Sequence, residues 1–98
     1  MSNVSKTLEE RGKRYGNFYQ HATICQDIKA VMQNTEGWER LAPDQAQALE
    51  VIADKIARML NGDPDYVDNW HDIGGYASLV EDRLVDKGDP YAGLSTLS

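Results

Sequence analysis

The sequence DYVDNWHDIGGYASLVEDRLV, residues 65–85, carries the clearest structural pattern in this 98-residue chain. Its larger apolar residues recur every three or four positions, at Trp70, Ile73, Ala77, Val80 and Leu84. That spacing puts one apolar side chain per turn on the same side, so it predicts an amphipathic helix over about 65–85. The pair 74–75, Gly-Gly, costs a helix about 1 kcal/mol per glycine relative to alanine. We therefore expect a neighbouring helix or a ligand to approach the backbone closely there.

Two more helices are predicted upstream, over about 17–33 and 43–61. Pro43 and Asp44 suit the first turn of the second of these, and Asn61-Gly62 suits its end. The apolar positions of this helix are Leu49, Ile52, Ala53, Ile56, Met59 and Leu60.

No stretch alternates strictly between polar and β-branched residues, so no sheet is expected. The sequence predicts an all-α fold, a small bundle of three main helices, to which residues 5–13 could add a short one. Residues 1–87 are interpreted as one domain and 88–98 as a C-terminal tail.

Composition and charge narrow the classes of protein further. There is no apolar run long enough to cross a membrane, and the start MSNVSKTLEE lacks the apolar core of a secretory signal. The net charge is −6, which argues against direct DNA binding because such binding needs cations that displace counterions. A single cysteine, Cys25, excludes an internal disulfide and fits the reducing cytoplasm.

Candidate functional side chains cluster on the second and third helices. Glu50, Asp54 and Arg58 form one polar stripe, and Lys55 lies beside it. On the third helix, Asp68 and Asp72 are one turn apart, so their carboxylates repel each other unless a positive charge lies between or beside them. Magnesium would supply that charge with oxygen ligands, and Lys55 or Arg58 of the facing helix would supply it equally well.

Other notable residues have plainer interpretations. The segment 11–17, RGKRYGN, is either a phosphate-binding helix start or an exposed basic loop. His21 and His71 lack a second ligand at metal-binding spacing, so both are expected on the surface. Cys25 is expected to be a small buried apolar residue. Trp38 and Trp70 are expected to be core or interface anchors.

Three motifs in order resemble a known family. They are Arg14-Tyr15-Gly16, the stretch 55–58 (KIAR) and the stretch 68–76 (DNWHDIGGY). Over about residues 9–84 they resemble small uncharacterised proteins found mostly in bacteriophages and prophages. That family is distantly similar to the all-α nucleoside-triphosphate pyrophosphohydrolases of the MazG and dimeric dUTPase group, in which E-x-x-E and E-x-x-D motifs hold magnesium against substrate phosphates.

The resemblance implies a nucleotide- or phosphate-ligand site in a phage accessory protein. Asp72 matches the final acid of the family motifs, while Asn69 and Ala53 stand where acids are expected. This implies a catalytically degenerate site; an active one would be a magnesium-dependent nucleotide pyrophosphohydrolase. The ligand residues it implies are Arg14, Tyr15, Lys55, Arg58 and Tyr76. The metal residues it implies are Asp68 and Asp72, with weaker candidates in Glu50 and Asp54.

The alternative is a non-catalytic interaction protein that binds a host protein and whose polar residues only fix helix packing. In either case three helices bury little apolar surface, so a homo-oligomer is expected. The related pyrophosphohydrolases, which form dimers or tetramers, point the same way. The expected location is the cytoplasm, that of the host cell for a phage protein.

Overall fold

The structure, a computed structural model, describes residues 17–86 and contains three α-helices and one short 3₁₀ helix. They are α1 (Phe18–Gln33), the 3₁₀ helix (Glu36–Arg40), α2 (Pro43–Asn61) and α3 (Val67–Asp86). No strand occurs in this part of the chain. The predicted all-α fold is therefore confirmed. The short helix predicted near 5–13, most of the basic segment and the C-terminal tail lie outside the described residues.

Side-chain capping explains where the first helices begin. The side chain of Asn17 accepts a hydrogen bond from the backbone N–H of Gln20 (3.2 Å) and so caps α1. At the start of α2, the side chain of Gln45 accepts from the backbone N–H of Ala42 (2.8 Å), and Pro43 occupies the first turn.

The connection before α3 is a tight turn. The side chain of Asp63 accepts from the backbone N–H of Asp65 (2.9 Å), and its carbonyl accepts from the N–H of Tyr66 (3.3 Å). These bonds hold residues 63–66 outside the helix. As a result α3 begins at Val67, slightly later than the sequence predicts.

α1 runs antiparallel to α2. Near the start of α1, the side-chain amide of Asn61 donates to the carbonyl of Asn17 (2.8 Å). Further along α1, Lys29 Nζ lies 3.4 Å from Glu50 Oε2. Later residues of α1 therefore meet earlier residues of α2.

α3 also runs antiparallel to α2, and it packs on the other side. Lys55 Nζ lies 3.0 Å from Asp72 Oδ2, and Arg83 Nε donates to Asp44 near the start of α2. α2 packs extensively on both neighbours, whereas α1 and α3 make little contact with each other. The described residues thus form a single layer of three helices with α2 in the middle.

The interior of this layer is small. It consists of five buried apolar residues and two buried polar ones: Cys25, Ala48, Ala53, Ala57, Met59, His21 and Asn69. Alanine dominates this set, which allows α2 to approach both neighbours closely but buries little apolar area.

Part of the predicted apolar pattern does not face this interior. Leu49, Leu60 and Trp70 are exposed, although their spacing predicts a packed position. The reason is that α1 and α3 cover two opposite sides of α2, and no other described residues cover the sides between them. The close approach expected at 74–75 is also not found, because a Cβ atom built on either glycine meets nothing within 4 Å among the described residues. No helix in 17–86 is both long and apolar enough to cross a membrane.

Candidate functional site

One side of the layer carries several ion pairs, which join α2 to each of its two neighbours. We call it the polar face and define it by six residues: Lys29, Glu50, Asp54, Lys55, Arg58 and Asp72. Every one of them has a charged partner within 3.4 Å. Four of them form the polar stripe predicted on α2 and its neighbour Lys55. The other two are their ion-pair partners, Lys29 on α1 and Asp72 on α3.

Asp54 binds two cationic or polar groups at once. Its Oδ1 lies 2.9 Å from His21 Nε2, and its Oδ2 accepts from Arg58 Nε at 3.0 Å. The surface position predicted for His21 is wrong, since this residue is only 7% exposed. His21 precedes the buried Cys25 by four positions, so it lies on the same side of α1 and points toward α2. His71 is exposed as predicted.

Lys55 and Asp72 join α2 to α3. Their 3.0 Å contact leaves the lysine side chain 15% exposed and the carboxylate 41% exposed. Of the two ways to balance the charge of Asp72, the structure therefore contains the lysine partner. The other candidate acids are engaged elsewhere, because Glu50 pairs with Lys29 and Asp68 accepts a hydrogen bond from the Tyr66 hydroxyl (2.9 Å).

The candidate metal ligands do not converge. Within residues 17–86, no group of three or more His, Cys, Asp and Glu side chains is arranged to hold a metal ion. A magnesium site needs several oxygen ligands around one point, and here Asp54, Asp68 and Asp72 each face a different partner. No hydrolytic step is derived from them.

Asn69 is the most unusual polar residue of the interior. It lies one turn before Asp72, is 2% exposed, and its side-chain nitrogen has no hydrogen-bond acceptor in the described part of the chain. A buried N–H group without an acceptor costs about 1–3 kcal/mol. An acceptor reaching this position would remove that cost.

An open groove adjoins the polar face along α3. It has a volume of about 360 Å³ and is lined by His71, Asp72, Gly75, Tyr76 and Leu79. A smaller groove of about 190 Å³ shares Tyr76 and Leu79 and extends to Asp44 at the start of α2. Asp72 therefore contributes both to the ion pair with Lys55 and to the groove wall.

Two titratable groups are perturbed by their surroundings. Burial, reinforced by the negative charge of Asp54, raises the pKa of the Cys25 thiol, so the thiol stays protonated at neutral pH. The hydrogen bond from Arg83 lowers the pKa of the Asp44 carboxyl and raises that of the guanidinium.

The predicted ligand residues are partly brought together. Lys55 and Arg58 both lie on the polar face, and Tyr76 lies on the groove beside it. Arg14 and Tyr15 lie outside the described residues. Lys29 and Asn69 were not predicted as part of the polar region. The helical spacing of Lys29 from Cys25 and of Asn69 from Ile73 is the signal that could have placed them beside α2.

Residues 17–86 thus form an all-α fold, a single helical layer with an ion-paired polar surface. The chain belongs to the family described as Domain of unknown function (DUF6378), whose model matches residues 1–84. No curated protein and no solved structure matches the chain significantly.

Proposed function

We propose that this protein is a non-catalytic binding protein for a phosphate-bearing ligand, with a nucleotide as the expected class. The proposal depends most on Lys55 and Arg58, which lie less than one turn apart on the polar face. Each is held by a carboxylate whose side chain is one-third or more exposed. A phosphate offers the same kind of charged oxygen acceptor, so it can share or replace either carboxylate as a partner.

The groove supplies space for the rest of such a ligand. Its volume of about 360 Å³ lies within the range of small-molecule sites, about 300–1,000 Å³. Tyr76 provides an aromatic wall against which a nucleobase can pack. Asn69, one turn from Asp72, carries a buried side-chain N–H that lacks an acceptor among residues 17–86.

The resemblance described above supports a nucleotide over other phosphate compounds. On the same basis we propose a phage- or prophage-encoded accessory protein, distantly related to MazG-type enzymes, that acts in the cytoplasm of a host cell. Arg14 and Tyr15 are proposed to complete the ligand site. We do not propose catalysis, because each acid of the motif is engaged with a cation or a hydroxyl.

The test is a thermal-unfolding screen with nucleoside mono-, di- and triphosphates and with inorganic pyrophosphate, in magnesium and in chelator. A ligand at 100 times its Kd adds about 2.7 kcal/mol of stability, which raises the Tm of a small domain by several degrees. Lys55→Gln should abolish the shift. Lys29→Gln is the matched control, since Lys29 is also ion-paired on the polar face but lies on α1 away from the groove.

The outcomes separate the candidate functions. A shift that Lys55→Gln removes and Lys29→Gln keeps supports the ligand site. A magnesium-dependent shift accompanied by release of pyrophosphate supports the enzymatic alternative. No shift with any compound contradicts the ligand site and favours the interaction protein, whose polar face only fixes helix packing.

A further inference from the structure

The side of the layer opposite the polar face is left without a covering element among the described residues. On α2, Leu49, Ile56 and Leu60 lie about 160–200° around the helix axis from Arg58, at 100° per residue. They therefore point away from the polar face. The neighbouring helices add apolar residues to the same side, by the same geometry.

On α1, Val31 lies about 160° around the axis from Lys29, and on α3, Trp70 lies about 160° from Asp72. Because Lys29 and Asp72 belong to the polar face, Val31 and Trp70 belong to the opposite one. We call this side the apolar face and define it by six residues: Ile24, Val31, Leu49, Ile56, Leu60 and Trp70.

The apolar face is large for such a small chain. Val31, Leu60 and Trp70 are 72%, 71% and 58% exposed. Together with Leu49 these side chains expose roughly 500 Å² of surface. In a typical specific interface each partner buries about 800 Å². The exposed area is comparable with the largest apolar patches of typical monomers, about 300–600 Å², which are often functional.

We propose that the apolar face is a self-association surface on which a second copy of this chain docks through a two-fold axis. The α2 sequence supports this occupant because its exposed arc is uncharged over its whole length. The arc contains Gln45, Ala46, Leu49, Ile52, Ile56 and Leu60, all of them at least partly exposed. Within it, positions 45, 49, 52 and 56 follow the 4-3-4 spacing of helices that pack side by side.

This arc is self-complementary in the antiparallel direction. When Leu49 lies beside the partner's Leu60, the same two-fold axis brings Ile56 of the two copies close together near the middle of the contact. Leucines then meet at both ends, and Ile52 and Ile56 lie between them. A two-fold interface requires such matching of one patch with itself.

Charge also favours a second copy. The chain carries a net charge of −6, and the ion pairs of Glu50, Asp54 and Lys55 lie on the polar face of α2. Along α2, two copies that meet through their apolar faces bring together arcs that carry no charge. A nucleic acid or a charged peptide would find no complementary charge on the α2 arc.

Trp70 is held in an orientation that suits a central residue of this interface. Its indole nitrogen donates to the carbonyl of Pro64 at 2.7 Å, so the ring is held in place and its one polar group is satisfied. The exposed remainder of the ring is apolar, which is typical of the tryptophans that contribute most to protein interfaces. Gly74, one turn later, leaves open space in which a partner helix can come close. The polar faces of such a dimer point outward, so this inference does not depend on the proposed ligand.

Sedimentation equilibrium of the full chain tests the proposal. The wild type should change from monomer to dimer over about 1–500 μM. Leu60→Lys should weaken the dimer at least tenfold, because it places a lysine in the apolar face. Leu79→Lys is the matched control, since Leu79 is 65% exposed but lies on the groove side of α3. A monomeric wild type at 500 μM, or equal effects of the two variants, would overturn the proposal.

Circular dichroism shows whether the Leu60→Lys variant folds. A cross-linking experiment tests the same interface without that variant. The double variant Leu49→Cys/Leu60→Cys, in a Cys25→Ser background, should form a covalent dimer on mild oxidation. Leu49→Cys/Leu79→Cys in the same background should not, because Leu79 lies on the other side of the layer. Absence of the covalent dimer in the first variant, or its equal formation in both, contradicts the antiparallel α2 contact.

Discussion

At the scale of single residues, the polar face depends on carboxylates that hold more than one neighbour in position. Asp54 contacts His21 of α1 and Arg58 of its own helix. Asp72 forms an ion pair with Lys55 and also lines the groove. Because these contacts are half-buried, they are worth more than exposed ion pairs and less than fully buried ones.

Asp72→Asn should lower the free energy of unfolding by about 1–3 kcal/mol, because Lys55 is then left largely buried without its charged partner. Urea unfolding in chelator measures the change. Asp82→Asn, an identical change at an exposed position of α3, should stay within about 0.5 kcal/mol of the wild type. An Asp72→Asn protein as stable as the wild type in chelator, but not in magnesium, would indicate a metal-binding carboxylate instead.

Cys25 should resist thiol reagents in the folded protein. Its thiol is buried, and its raised pKa keeps the reactive thiolate scarce at neutral pH. The measurement is the rate of reaction with a chromogenic disulfide with and without urea, with free cysteine as the reference. A native rate close to that of free cysteine would contradict the burial of this side chain.

At the scale of elements, α2 is the helix on which the other two depend. It contacts α1 through His21 and Lys29 and α3 through Asp72 and Arg83. The pair formed by Asp44 and Arg83 connects the start of α2 with the last turns of α3, where no other ion pair joins the two helices among the described residues.

The Asp44–Arg83 pair predicts a specific pH dependence. The pKa of Asp44 is lowered in the folded state, so the stabilisation is complete above the ordinary carboxyl range near pH 4 and is lost as the pH falls through the lowered value. Asp44→Asn should therefore be less stable than the wild type at pH 7, and the gap should narrow below about pH 4. Thermal unfolding between pH 7 and 2.5 measures this. A gap that stays constant over that range, as expected for Asp82→Asn, contradicts the ion pair.

The sequence was sufficient to predict the helices but not all of their surroundings. Periodicity and the Pro43 and Gly62 signals predict three helices, because local chemistry determines where a helix starts and stops. For the charge that balances Asp72, the sequence predicts either magnesium or a cationic side chain of the facing helix, and the structure contains the lysine. The exposure of Leu60 was not predictable, because an apolar pattern shows which side of a helix avoids water and not what covers it. His21 was misplaced for the related reason that a polar residue can occupy a buried helical position when a partner such as Asp54 faces it.

At the scale of the whole molecule, the single layer predicts unequal local stability. Among residues 17–86, α2 is packed on two sides and α1 and α3 on one, so the amides of α2 should exchange most slowly with solvent. Hydrogen exchange followed by mass spectrometry or NMR at a concentration where the chain is monomeric checks this. Slower exchange in α1 or α3 than in α2 would contradict the central position of α2.

The antiparallel order of the three helices also determines how the protein responds to force. Since α1 and α3 both run opposite to α2, residues 17 and 86 lie at opposite ends of the layer. Tension applied between these two points slides α1 and α3 lengthwise past α2, so it loads the ion pairs and the alanine-lined contacts together instead of peeling them apart one by one. When force is applied at residues 17 and 86, the three helices should therefore unfold in one abrupt step. When force is applied through the 34–42 connector, they should separate gradually and at a lower force.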